Sequence, residues 1–242
     1  KKYFSILKTS HSILWNDGPR LQKLQNELNE AELARVEGGK GKNVWYCIGY
    51  AISRNSAEAV AFHDCDIKTY DENILIKLFY PLLNDSMGYS FSKGYYPRYA
   101  DNKFNGRVTR LLVTPLIKSL IKLFGNNDYL EFIDSFRYPL AGEYALKKNL
   151  LRDLRIPSDW GLEIGILSEL QRSYSSKLCC QVDLADHYDH KHQDLSVDDK
   201  SKGLSRMTID ITKAFLRKMA TQGYIFTEES FRTLKATYFR KA

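Results

Sequence analysis

The sequence predicts an α/β fold, and three observations carry the prediction. Short apolar runs alternate with stretches whose apolar residues recur at helical spacing, the pattern of a sheet with helices on its faces. Clusters of Gly, Pro, Asn and Asp separate the two kinds of segment. From Ser201 onward the alternation stops and only helical periodicity remains. The expected architecture is a mostly parallel sheet with flanking helices over residues 1–198, and a C-terminal helical appendage over 199–242.

Residues 10–15 read as a short strand running into Asn16-Asp17-Gly18-Pro19, a turn signal. Leu21, Leu24, Leu28 and Leu33 recur among charges and predict an amphipathic surface helix over 21–36. Gly38-Gly39-Lys40-Gly41-Lys42 breaks the chain before a second helix over 43–53. Ala59-Val60-Ala61-Phe62 suits a buried strand, and a helix follows over 71–83. Residues 87–96 read as a strand and 106–124 as a long helix, with Val108, Leu111, Leu112, Leu116 and Leu120 in register. A helix over 162–173 and a buried strand over 177–184 complete the sheet region. In the appendage, Met207, Ile211, Phe215 and Met219 form one stripe, a packing face for the core or for a second subunit. Gly223 is a stop, and Thr227 is an N-cap before Glu228 and Glu229.

Composition narrows the partners. The hydrophobic fraction of 43% and aromatic fraction of 13% belong to a folded chain with ample core. A net charge of +7 and a pI near 9.1 favour anionic ligands. The basic residues are scattered, with no Lys/Arg block, so phosphorylated metabolites are preferred to nucleic acid. No apolar stretch approaches the length needed to span a bilayer, so no membrane partner is expected. Cys47, Cys65, Cys179 and Cys180 form no CxxC pair and read as reduced, buried thiols of a cytoplasmic protein.

The sharpest chemical signal is His63-Asp64-Cys65-Asp66 at the end of the apolar run. Residues two apart on a strand point the same way, so both acids can converge on one ligand. Hard cations such as Mg²⁺ or Mn²⁺ bind through one or two carboxylates plus substrate phosphates. Two acids at a strand end are, however, more commonly a solvated turn. Gly38-Gly39-Lys40-Gly41 could bring backbone amides and a lysine to a phosphate, or be a plain turn; it lacks the Walker A pattern. Gly106-Arg107-Val108-Thr109 opens a helix with a guanidinium and a hydroxyl, an oxyanion site or an ordinary helix start. Ser158-Asp159-Trp160-Gly161-Leu162-Glu163 sets an aromatic and a carboxylate about a tight turn, to cover a sugar or merely to cap a helix. Asp186-His187-Tyr188-Asp189-His190-Lys191-His192 offers a metal ligand or a solvated polar loop.

The order of these motifs resembles that of the glucosyl-3-phosphoglycerate synthases, retaining glycosyltransferases of the GT-A fold, over roughly residues 38–193. The resemblance implies transfer of glucose from UDP-glucose or GDP-glucose to 3-phosphoglycerate, with Mg²⁺ or Mn²⁺ as cofactor. Close relatives use mannose donors. Asp66 looks like the metal-ligating acid, with Asp64 beside the nucleotide and Lys40 contacting it. Gly106, Arg107, Val108 and Thr109 look like the phosphoglycerate cradle. Glu143, in Gly142-Glu143-Tyr144, and Glu163 are expected near the transferred sugar as catalytic carboxylates. Trp160 stands on the donor side where the family usually has Tyr. His190 matches the metal-binding histidine best, since Asp189-His190-Lys191 is similar to the family's Glu-His-Arg; His187 and His192 stay open. A homodimer is expected.

A GT-A domain normally opens with a strand-helix-strand unit that grips the nucleotide base. Asp64 arrives too early for one to precede it, so an N-terminally incomplete core is expected. Two other readings stand beside the transferase. A metal-dependent phosphohydrolase would use the same acids and histidines but leaves the Gly-Lys-Gly loop unexplained. A non-catalytic binding or assembly module would bind the nucleotide without turnover.

Overall fold

The computed structural model describes residues 9–33, 38–97, 99–100, 103–104, 106–189 and 203–242. Helix α1 (Pro19–Glu30) begins at a proline, whose missing N–H is no loss in a first turn. Residues 10–15 ahead of it form no strand. Trp15 is 72% exposed, and the segment buries too little to be drawn into a sheet. Helix α2 (Lys40–Arg54) starts three residues earlier than the periodicity predicts, taking Lys40 into its first turn. Strand β1 (Ala59–Phe62) follows, then α3 (Glu72–Leu83), which Asp71 caps by accepting from the Asn73 amide at 2.6 Å.

Strand β2 (Phe91–Tyr95) is shorter than the 87–96 expected, and β3 (Tyr99–Ala100) and β4 (Lys103–Phe104) pair as a small antiparallel ribbon. The predicted long helix is interrupted by a π turn, Thr109–Val113, before α4 (Thr114–Phe124). Pro115 explains part of this, because it has no N–H to return to the Leu111 carbonyl four residues back. That carbonyl accepts instead from the Tyr238 hydroxyl at 2.6 Å. Helix α5 (Asp128–Asp134), β5 (Tyr144–Lys147), α6 (Lys148–Asp153), α7 (Leu162–Ser173) and β6 (Cys179–Asp183) complete the sheet region. Helices α8 (Gly203–Thr221) and α9 (Glu228–Lys241) end the chain, and Thr227 caps α9 by accepting from the Ser230 amide.

The main sheet has the order β1-β5-β2-β6. Strand β5 lies antiparallel to both β1 and β2, while β2 and β6 are parallel. The sheet is therefore mixed, a correction to the mostly parallel ladder expected. The reason is β5, which is wedged between strands that run the other way. Both faces are covered. Tyr144 and Leu146 of β5 join a core with Leu116, Leu120, Leu167 and Phe215, while Ala145 faces Ile74, Leu78 and Leu82 of α3. Ile211, Phe215 and Met219 are each 0% exposed, so the C-terminal stripe packs on this core. At roughly 2 kcal/mol per buried side chain, that stripe alone explains why α8 stays docked. The thiol expectation is corrected: Cys47 and Cys65 are exposed, because they fall on the outer side of α2 and of the loop after β1, and all four thiols are free.

Candidate active site

Lys40 is placed by a close approach of two backbones. The amides of Gly41 and Lys42 donate to the carbonyls of Asp159 and Ser158 at 3.1 and 2.8 Å. A side chain at position 41 would collide with the Pro157 carbonyl, so only glycine fits. The Gly-Lys-Gly loop is thus a docking point for the 157–159 loop, and the Gly41 amide, expected to be free to face a phosphate, is already bonded. What the loop delivers is the ammonium. Lys40 Nζ lies 2.5 Å from Asp64 Oδ1 and 2.7 Å from Glu163 Oε1. Burial alone would lower the lysine pKa, but Glu163 and Asp64 together drive it well above the usual range, and the ammonium stays charged.

Glu163 stands in the first turn of α7 and is 3% exposed. The turn before it is bracketed by two buried carboxylates. Asp159 accepts from the Gly161 amide at 2.8 Å, and Asp210 of α8 accepts from the Trp160 amide at 3.4 Å and from Arg206 at 2.9 Å. Behind Asp64 lies Glu143, 0% exposed, whose carboxylate accepts from the Asp64 amide at 3.3 Å. Beneath them, Lys93 of β2 is 2% exposed, donates to the Ala141 carbonyl at 2.6 Å and lies over the Tyr144 ring. Burial pushes its pKa down to about 8, against the pull of Glu163.

Lys40, Asp64 and Glu163 open onto one cleft of about 720 Å³. Lys40, Asp64, Asp66, Trp160 and Glu163 line one part of it, and Gly106, Arg107, Val108 and Thr109 another. Gly106 has φ +76°, a left-handed conformation that suits glycine at this entry to the helix. The Thr109 hydroxyl is buried and has no hydrogen-bond partner among the described residues. Asp66 forms no ion pair among them, although Asp64 beside it is paired. Leu204 and Met207 of α8 add an apolar wall. Such a cleft, with few convergent charges on apolar walls, suits a polar small-molecule ligand.

No protein-family model matches the chain. Among curated proteins, the glucosyl-3-phosphoglycerate synthase of Persephonella marina is 45% identical over 242 residues, covering 100% of this chain and 60% of the relative. That of Methanococcoides burtonii is 41% identical over 219 residues, covering 89% of this chain and 53% of the relative. The chain is homologous to the glucosyl-3-phosphoglycerate synthases. It spans little more than half the length of these synthases. Among solved structures, the Mycobacterium tuberculosis synthase in complex with Mn²⁺, UDP-glucose and phosphoglyceric acid superposes with a TM-score of 0.61 at 25% identity. That match covers 80% of this chain and 59% of the other. The same synthase is also seen with Mg²⁺ and UDP. The fold is GT-A, with the mixed sheet described above.

In this homologue of the synthases, the residues picked out from sequence divide into three groups. Lys40, Asp64, Asp66, Gly106 to Thr109, Trp160 and Glu163 meet in the cleft. Glu143 lies behind the cleft wall, not in its lining. His190 and His192 lie outside the described residues, and His187 is exposed and away from the cleft lining. Among the described residues no three His, Cys, Asp or Glu side chains converge as a ready metal cage. Lys93, Tyr96, Tyr188 and Asp210 were missed from sequence. Asp210 left one signal, a carboxylate directly beside the apolar stripe residue Ile211.

Proposed function

We propose that this chain carries the donor and acceptor machinery of a retaining glucosyltransferase acting on UDP-glucose and 3-phosphoglycerate. The observation that carries the reading is the convergence of Lys40, Asp64 and Glu163 in one cleft with Gly106 to Thr109. UDP is favoured over GDP because the structural relatives are complexes with UDP or UDP-glucose. In the reaction the bond from the anomeric carbon to the diphosphate breaks and a bond to the acceptor hydroxyl forms. The hydroxyl proton passes to the leaving diphosphate oxygen, and UDP departs. Both new and old bonds lie on one face, so configuration is retained without a covalent enzyme intermediate. A glycosyl adduct trapped on Glu163 would sink that course.

Each residue has a physical task. Lys40 offsets negative charge growing on the leaving group. Arg107 and the Thr109 hydroxyl hold the acceptor phosphate and carboxylate, the guanidinium through paired N–H groups. Trp160 and Glu163 orient the sugar, and bringing the two reactants together supplies the orientation contribution. Asp66 fits a hard cation, since it lines the cleft without an ion pair among the described residues, and His190 would complete the protein's ligands. Bound there, Mg²⁺ or Mn²⁺ would neutralise the diphosphate. No helix among the described residues is long and apolar enough to cross a membrane, and free thiols suit the cytoplasm. A homodimer would close on the C-terminal helices and the turn between them, where Phe231, Phe239 and Ile225 are exposed.

The test is calorimetric titration of UDP with and without Mg²⁺, for the wild type and Asp66→Ala, followed by turnover of UDP-glucose with 3-phosphoglycerate. Binding that needs the cation and is lost in the variant, with release of UDP and a new glucosyl product, is the expected result. Cation-independent binding, or UDP bound without turnover, would favour the non-catalytic module.

A further inference from the structure

Glu143 is fully buried, and its carboxylate is already engaged. One oxygen accepts from the Asp64 amide at 3.3 Å and the other from the Tyr96 hydroxyl at 2.5 Å. The Tyr188 ring stacks on that of Tyr96 beside the same carboxylate. Asp64 and Tyr96 stand just past the ends of β1 and β2, and Glu143 itself immediately precedes β5. One carboxylate therefore gathers the ends of three of the four strands in the main sheet.

The surroundings hold that arrangement from several sides. The Tyr96 and Tyr188 rings stack at 3.6 Å with 13° between their planes, which fixes the direction of both hydroxyls. Tyr138 meets Tyr96 edge-on. Asp64 lies flat on the backbone of Gly142, where any side chain would collide with its carboxylate. Lys93 pins the neighbouring Ala141 carbonyl at 2.6 Å. Residues 141–143 thus support Asp64 by main chain and side chain together. A carboxylate accepts hydrogen bonds only, and charge-assisted ones are about twice as strong as neutral ones. Glu143 is 0% exposed and outside the cleft lining, so reaching a sugar would require it to leave these partners.

We propose that Glu143 is a positioning residue. Through the Asp64 amide and the Tyr96 hydroxyl it fixes the strand end that presents Asp64 and Asp66 to the donor, and it makes no bond at the sugar. The proposal rests on the transferase reading above and replaces a catalytic role for this carboxylate.

The test compares wild type, Glu143→Gln, Glu143→Ala and Tyr96→Phe in the full chain, by steady-state kinetics and by hydrogen exchange at the Asp64 amide. Glutamine keeps an acceptor for that amide. The expected result is a rise of about tenfold in KM for UDP-glucose in Glu143→Gln and Tyr96→Phe, with kcat within about threefold of wild type. Glu143→Ala should lose more in both, and the Asp64 amide should exchange about tenfold faster than in wild type. A fall of about a thousandfold in kcat for Glu143→Gln, with KM and Asp64 exchange unchanged, would overturn the proposal. Absence of turnover in wild type would sink the transferase reading alone. Exchange at Asp64 in Glu143→Ala then decides the positioning role: acceleration supports it and unchanged protection overturns it.

Discussion

Lys40 and Glu163 are 123 positions apart in sequence, yet the ammonium donates to the carboxylate at 2.7 Å. The glutamate is almost fully buried, and Lys40 is its ion-pair partner among the described residues. Removing the lysine leaves a buried negative charge beside Asp64, the arrangement that breaking an ion pair makes costly. Lys40→Met should therefore lower unfolding free energy by about 2–4 kcal/mol, the lower figure reflecting the partial exposure of Lys40. Lys40→Met combined with Glu163→Leu should recover most of that loss. Urea denaturation of wild type, the two single variants and the double variant checks it, and additive losses would show that the pair is not coupled.

Lys93 gives stability a distinctive pH dependence. Its pKa is lowered from 10.5 to about 8 in the folded protein. Between those values the unfolded chain binds the proton and the folded one does not, so this contribution rises with pH. Lys40 has the opposite sign, since its raised pKa gives stability that is lost only above 10.5. The difference in unfolding free energy between wild type and Lys93→Met should grow by about 1 kcal/mol per pH unit above pH 8. Buried tyrosines common to both proteins cancel in that difference. A flat difference curve would mean that Lys93 is charged in the fold.

The Tyr238 hydroxyl and Pro115 meet at one carbonyl, that of Leu111. Tyr238→Phe leaves the carbonyl without this donor, at a cost of about 0.5–1 kcal/mol at so exposed a site. Pro115→Ala returns an N–H to the helix. Against that background Tyr238→Phe should cost measurably less. Thermal denaturation of the four proteins in the cycle reads the coupling, and equal costs in both backgrounds would count against it.

Gly41 is the narrowest point in the site. Alanine there must push the 157–159 loop away, an overpacking cost of about 1–3 kcal/mol. Because that loop leads into the Trp160 turn, Gly41→Ala should also weaken UDP binding about tenfold or more, by displacing Lys40 and Glu163 relative to each other. Gly49→Ala in α2, where a side chain meets nothing within 4 Å, is the control.

Much of this was legible in the sequence, for identifiable reasons. The helix from Glu72 was clear because Asp71 is a cap and its apolar residues keep one period. The stripe Ile211, Phe215 and Met219 was clear for the same reason. Asp64 and Asp66 stood out because carboxylates directly after an apolar strand are conspicuous. Strand β5 was invisible, since four residues buried on both faces carry no alternation. Its antiparallel direction is a tertiary property that no local pattern encodes. The Gly-Lys-Gly loop stood out in the sequence, but the engagement of its Gly41 amide did not, because the Asp159 carbonyl that accepts from it lies well over a hundred residues away.

Leu204 and Met207 line, with apolar side chains, the same cleft that holds the Lys40 ion pairs. The two surfaces belong to different parts of the chain and share no bond that an apolar substitution on the wall would break. Trimming either side chain would widen the chamber while leaving Lys40, Asp64 and Glu163 undisturbed. A protein built this way can change the size of molecule it admits, by laboratory redesign or by drift, without rewriting the chemistry it performs.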